Sequence, residues 1–264
     1  MHSKFSRRAL VVAATLALGL VAADASATHS WGSYHWARTS NPFTIKLGDN
    51  VSGAWDSPLL GASSDWSQST VLNTAIVAGL ANPKNCRATA GRVEVCNSKY
   101  GNNGWLGIAS IWATGNHITQ GTVKLNDTYF NTPTYNTLAW RNMVTCQEIG
   151  HTFGLDHQDE NFNNANLGTC MDYTNDPTSN QQPNQHDYDQ LLTIYSHLDT
   201  TTTISQSVGT NGADVDHDNP SSWGRLMKLS NGGRTAVYEL DLGGGRKIIT
   251  FVIFALEANG NRPE

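Results

Sequence analysis

Residues 147–157 read Gln147-Glu148-Ile149-Gly150-His151-Thr152-Phe153-Gly154-Leu155-Asp156-His157, and this run leaves the chain little conformational choice. Leu138, Trp140, Met143, Val144, Ile149 and Phe153 recur every three or four residues after Pro133, so the spacing predicts one helix over 135–153. Side chains four apart on a helix share a face, which sets Gln147 above His151 with Glu148 beside them. Gly154 stands where that helix must stop, and it permits the sharp turn that brings His157 back. The pattern asks for a helix, an abrupt reversal, and a place where two imidazoles, a carboxamide and a carboxylate meet.

Such a set has a specific use. Three protein ligands leave a fourth position open on a zinc ion, the arrangement of catalytic rather than structural sites. Zinc lowers the pKa of its water and polarises a carbonyl, while an adjacent carboxylate moves the proton to the leaving group. His151 and His157 are the candidate ligands, Gln147 a third, and Glu148 the candidate general base.

The run resembles the zinc-protease signature H-E-x-x-H-x-x-G-x-x-H, with glutamine in the first position. Further on, Cys170-Met171-Asp172-Tyr173 resembles the methionine turn that underlies the metal in metzincin endopeptidases. Tyr173 has the offset from which a tyrosine contacts zinc in astacin-like and serralysin-like members. Over residues 36–198 the chain resembles this clan, the matrixins in particular. The resemblance implies an α+β fold: a mixed twisted sheet, an active-site helix, a methionine turn at Met171 and a closing helix around Tyr195. It also implies a secreted zinc-dependent endopeptidase acting on peptide or protein substrates. Glu148 and Tyr173 would then be catalytic, Gln147, His151 and His157 ligands, and Gly154 and Met171 structural.

Gln147 is the departure from that pattern. Its carbonyl oxygen has the reach of an imidazole, yet zinc prefers nitrogen or thiolate. Metal binding weaker than at a three-histidine site is therefore expected, with Tyr173, Asp156 or Asp159 as candidates to compensate. Two other functions fit the same residues: a pseudoprotease that binds peptides without turnover, and a metal-stabilised matrix-binding module working through its C-terminal extension. His29, His35, His117, His186 and His197 show no ligand spacing of their own and read as surface or partly buried polar residues. Asp159, Glu160, Asn161 and Asn163 are a candidate calcium loop, but without a known spacing they read better as a solvated turn.

Elsewhere, alternation over 43–47 predicts a strand within 36–51, the segments 92–96, 105–112 and 122–130 read as further strands, and helical spacing predicts helices over 64–80 and 185–198. Residues 200–222 are rich in Thr, Ser, Gly, Asp and Asn and read as a linker. Residues 223–264 read as a small β-rich extension, leaving 28–199 as the catalytic domain. Lys4, Arg7 and Arg8, an apolar run over 9–22 and Ala25-Ser26-Ala27 predict a cleavable signal over 1–27 and export, with a weak twin-arginine character. In an oxidising compartment Cys86, Cys96, Cys146 and Cys170 would pair, and of three connectivities Cys86–Cys96 with Cys146–Cys170 is favoured. A net charge of −5 with 15% charged residues gives no nucleic-acid footprint. No later stretch is long enough to span a membrane, and a monomer is expected.

Overall fold

Phe43, Ile45 and Leu47 are buried while Thr44 and Lys46 are exposed, the period of two expected of a half-covered strand. This strand, β2 (Phe43–Asn50), belongs to a nine-stranded sheet. The computed structural model describes residues 29–205, 215–216, 219–230 and 232–256. The expected signal over 1–27 and part of the expected linker lie outside the described residues.

The other strands are β1 (His35–Trp36), β3 (Leu72–Ala78), β4 (Val93–Ser98), β5 (Trp105–Thr114), β6 (His117–Asn126), β7 (Arg225–Leu229), β8 (Thr235–Gly243) and β9 (Arg246–Phe254). The helices are α1 (Asp56–Trp66), the single turn α2 (Asp127–Phe130), α3 (Leu138–His151) and α4 (Gln185–Ile194). Strand order is β3-β2-β4-β6-β5-β9-β8-β7, with β1 beside β6. Pairing is parallel from β3 to β6 and antiparallel from β6 through β5 to β7. The sheet is therefore mixed, in an α+β arrangement. Parallel strands need cover, which α1 and α3 supply by packing on each other and on β3, β5 and β6.

The helix expected over 64–80 is instead the end of α1 followed by β3. Leu72 and Ile76 satisfy a helical period, but Thr70, Val71, Thr74, Ile76 and Val77 are β-branched and pack better on a pleated surface. Ser67 Oγ donates to Ser63 O at 2.7 Å and Ser69 Oγ accepts from Val71 N–H at 3.3 Å, which closes the helix. The strand expected over 122–130 also stops early. The Asn126 side chain accepts from Thr128 N–H and caps α2.

The C-terminal strands continue the same sheet. β9 lies along β5 from Trp105↔Phe254 to Thr114↔Arg246, so nine of ten β5 residues are buried. Phe251, Val252 and Ile253 join the core that holds Trp66, Val144 and Met171. Both favoured disulfides are formed, Cys86–Cys96 and Cys146–Cys170, and no described cysteine is free. The second ties α3 to the turn carrying Met171. Among the described residues no helix is long and apolar enough to cross a membrane.

Candidate functional site

Thr137 caps α3 by accepting from Trp140 N–H, and the helix carries Gln147, Glu148 and His151 into the interior, each no more than 1% exposed. Gly154 then reverses the chain at φ +93°, where a Cβ would lie 2.2 Å from Tyr34 O. Only glycine suits both demands. The reversal lets Leu155 O meet His151 Nδ1 at 2.9 Å. A carbonyl only accepts, so Nδ1 carries the proton and Nε2 presents its lone pair.

That lone pair faces His157 Nε2 at 3.1 Å. Ligands at 2.0–2.1 Å around a tetrahedral metal are spaced by roughly 3.3–3.4 Å, close to this separation. Without a cation, the same pair is satisfied by one N–H···N bond from His157. Burial, reinforced by His157, holds the His151 pKa well below the usual imidazole range, and neutral imidazole is the metal-binding form.

Gln147 Nε2 donates to Cys170 O at 2.9 Å, while its Oε1 is buried with no partner. Such an orphan costs free energy, and it is the atom a metal would require. Met171 Sδ and the Trp66 ring fill the space under Gly150, and Gln158 N–H donates to Met171 O at 2.7 Å. The turn thus braces both the helix and the segment after His157.

Glu148 also has an orphaned oxygen, Oε2. Burial pushes its carboxyl well above the usual carboxylate range, opposed by a hydrogen bond from Ala109 N–H. Room for it comes from Gly107 on β5, whose Cβ would lie 2.7 Å from Val144 Cγ1 and 3.0 Å from Glu148 Oε1. Gly107→Ala is expected to destabilise the fold by about 1–3 kcal/mol through overpacking, read from urea denaturation. An unchanged midpoint would mean that Glu148 is not confined by β5.

Tyr173 meets His157 on the far side of the ring. Its hydroxyl is 2.9 Å from His157 Nδ1 and bonded to the Thr235 hydroxyl of β8. Burial raises the phenol pKa well above its ordinary value, so Tyr173 remains a neutral partner that orients His157. Asp156 Oδ1 accepts from His157 N–H at 2.9 Å, and Oδ2 meets Lys228 Nζ at 2.6 Å. Burial pushes the Asp156 pKa up, but His157 and Lys228 outweigh it and hold the group far below the usual carboxylate range. Lys228 also pairs with Glu160, so a cation already serves the group Asp156, His157 and Glu160. The candidate calcium loop folds on itself. Asp159 accepts from Asn161 N–H and Asn164 Nδ2, and Asn161 Oδ1 accepts from Asn163 N–H.

The strands β7–β9 form a cover over this site. Phe251 stacks on His151 with centroids 4.3 Å apart and planes 4° from parallel. Arg234 donates to Asn175 Oδ1 at 2.6 Å and lies over the Phe162 ring. Phe251, Thr235, Lys228 and Arg234 belong to no motif, and only the pairing of β9 with β5 brings them here. A second group also escapes spacing arguments: His35, His117 and His197 gather around Asp199.

No known protein-family model matches the chain, and no curated protein matches it in sequence.

Proposed function

We propose that the chain is a secreted, zinc-dependent endopeptidase of the metzincin type, with its C-terminal strands closed over the site. The observation that carries this reading is the 3.1 Å approach of His151 Nε2 to His157 Nε2, while Gln147 Oε1, one helical turn before His151 on α3, is buried without a partner. These three atoms would hold the metal. Zinc bound there supplies a Lewis acid and acidifies a water. Glu148, its carboxyl kept proton-hungry by burial, takes a proton at Oε2 and passes it to the leaving amine. Ala109 N–H orients that carboxylate, and Tyr173 with Thr235 fixes the His157 ring. An extended peptide binds most simply by adding a strand to a sheet edge. The free side of β5 is taken by β9, so a peptide reaches the site only when β9 gives way. Export through a signal over 1–27 belongs to the same reading, and the two disulfides accord with it.

A pseudoprotease is favoured by one specific contact, the Gln147 amide donating to Cys170 O, which makes Gln147 a structural residue. The experiment that separates the two is peptide cleavage with and without chelator, on the chain and on Gln147→His. The substitution is expected to tighten zinc binding by at least about 10–100-fold, measured by competition with a chromogenic chelator. Chelator-sensitive cleavage by the unsubstituted chain supports the peptidase. Cleavage only after Gln147→His supports the pseudoprotease, and cleavage by neither sinks the peptidase reading.

A further inference from the structure

At the end of the sheet where β1 meets β6, three imidazoles point at one carboxylate oxygen. Parallel pairing of β1 with β6 sets His35 directly beside His117. The segment after α4 adds His197 and Asp199. The Nε2 atoms of His35, His117 and His197 lie 3.4, 3.2 and 3.8 Å from Asp199 Oδ1, and His35 Nε2 is 3.2 Å from His197 Nε2.

We propose that His35, His117 and Asp199 form a second metal site, flanked by His197, for zinc or a similar imidazole-binding divalent transition metal, separate from the site at His151.

Three observations carry this. The ligand atoms of His35, His117 and Asp199 all lie within 4.8 Å of one another, and the two separations from Asp199 Oδ1, 3.4 and 3.2 Å, match the roughly 3.3–3.4 Å edge of a tetrahedron with ligands at 2.0–2.1 Å. Next, His35 Nδ1 lies 2.7 Å from Ser33 O. Because that oxygen only accepts, the proton is on Nδ1, and the Nε2 lone pair faces both a carboxylate oxygen and another ring nitrogen. As at His151, one N–H···N bond from His197 satisfies the facing nitrogens without a metal, and a cation would engage the His35 lone pair and the carboxylate at once. Finally, the rings stand edge-on, His35 at 79° to His117 and 87° to His197, so their in-plane lone pairs converge. The group His29, His186 and Asp187 lacks this property, since its two rings are stacked at 19° and their lone pairs lie in nearly parallel planes.

The outer supports are also in place. Asp199 Oδ2 accepts from Arg38 N–H at 3.1 Å and from Arg38 Nη1 at 2.9 Å, which turns Oδ1 toward the histidines. Metal ligands are commonly oriented by such contacts. Three protein ligands leave one position open, and His197, 3.2 Å from His35 Nε2, stands beside the group. The metal would pin the segment around β1 to the chain following α4.

The test uses the intact protein, zinc chloride, and two double variants: His117→Ala with His197→Ala, and His151→Ala with His157→Ala. The side chains of His117 and His197 are 39% and 50% exposed, so their removal leaves the core alone. Zinc per chain is counted after gel filtration, and melting temperature is read with and without zinc. The unsubstituted chain is expected to hold one zinc more than the His117/His197 variant, and the His151/His157 variant to retain one zinc and to gain melting temperature from it. The His117/His197 variant is expected to lose that zinc, with affinity down by more than about 100-fold. Should the His151/His157 variant not fold, cobalt absorption in the unsubstituted chain that falls by one bound ion in His117→Ala alone supports the site. Unchanged zinc content and melting response in the His117/His197 variant would overturn it, whether or not the chain cleaves peptides.

Discussion

Glu148→Ala is expected to lower peptide turnover by about 10²–10⁴-fold, or about 2.7–5.4 kcal/mol of transition-state stabilisation, with zinc content unchanged. Glu148 is buried, one oxygen has no partner, and burial raises its carboxyl pKa well above the usual range. An ionised carboxylate held this way costs the folded state free energy. Truncation removes that cost and leaves a small cavity and an unpaired Ala109 N–H in exchange. Thermal stability should therefore hold roughly level while turnover collapses. Glu148→Gln keeps the shape and the hydrogen bond but not the base, and should lose turnover to a similar degree. A glutamate kept for packing alone behaves in the opposite way: Glu148→Ala would lose stability, and Glu148→Gln would lose nothing. Turnover within about tenfold of the unsubstituted chain in both variants removes Glu148 from the mechanism.

The sequence made the middle of the molecule legible because one local pattern fixes several constraints at once. Helical spacing, Gly154 and the offset of His157 together dictate how His151 and His157 meet, and the structure brings them to 3.1 Å. Alternation located β2 for a similar reason, since burial on one face leaves its mark residue by residue. Where two periods fitted the same residues, between Ser64 and Leu80, the β-branched content decided and the helical reading failed. What surrounds the site was not legible. Thr235 and Phe251 lie more than sixty residues from Tyr173 and His151, which they respectively touch, and nothing in their own neighbourhoods announces the sheet register that brings them there. The four residues gathered at Asp199 are scattered over 35–199, so only parallel pairing of β1 with β6 and the path after α4 unite them. Long-range register is a property of the whole sheet, and a local window contains no record of it.

That register supplies the other large prediction. Ser110 on β5 and Thr250 on β9 are directly opposed, with hydroxyls 3.1 Å apart. Opposed residues of antiparallel strands have Cα atoms about 4.5–5.5 Å apart, within the span of a disulfide. Ser110→Cys with Thr250→Cys is therefore expected to link β9 to β5 during oxidative folding, with the link verified by peptide mapping. The linked protein should show no peptide turnover, in the chain itself or in its Gln147→His variant if that is the more active. Each single variant, carrying one unlinked thiol of similar volume, should retain turnover near that of its parent. Single variants are the proper control because a reductant able to reach this buried position would also threaten Cys146–Cys170 beside the site. The reasoning depends on edge occupancy. A peptide and β9 compete for the same N–H and C=O groups of β5, and Phe251 must leave His151 for a substrate carbonyl to approach. Turnover by the linked protein equal to that of the single variants would mean that substrate approaches from another side, and that β7–β9 are a permanent wall rather than a cover.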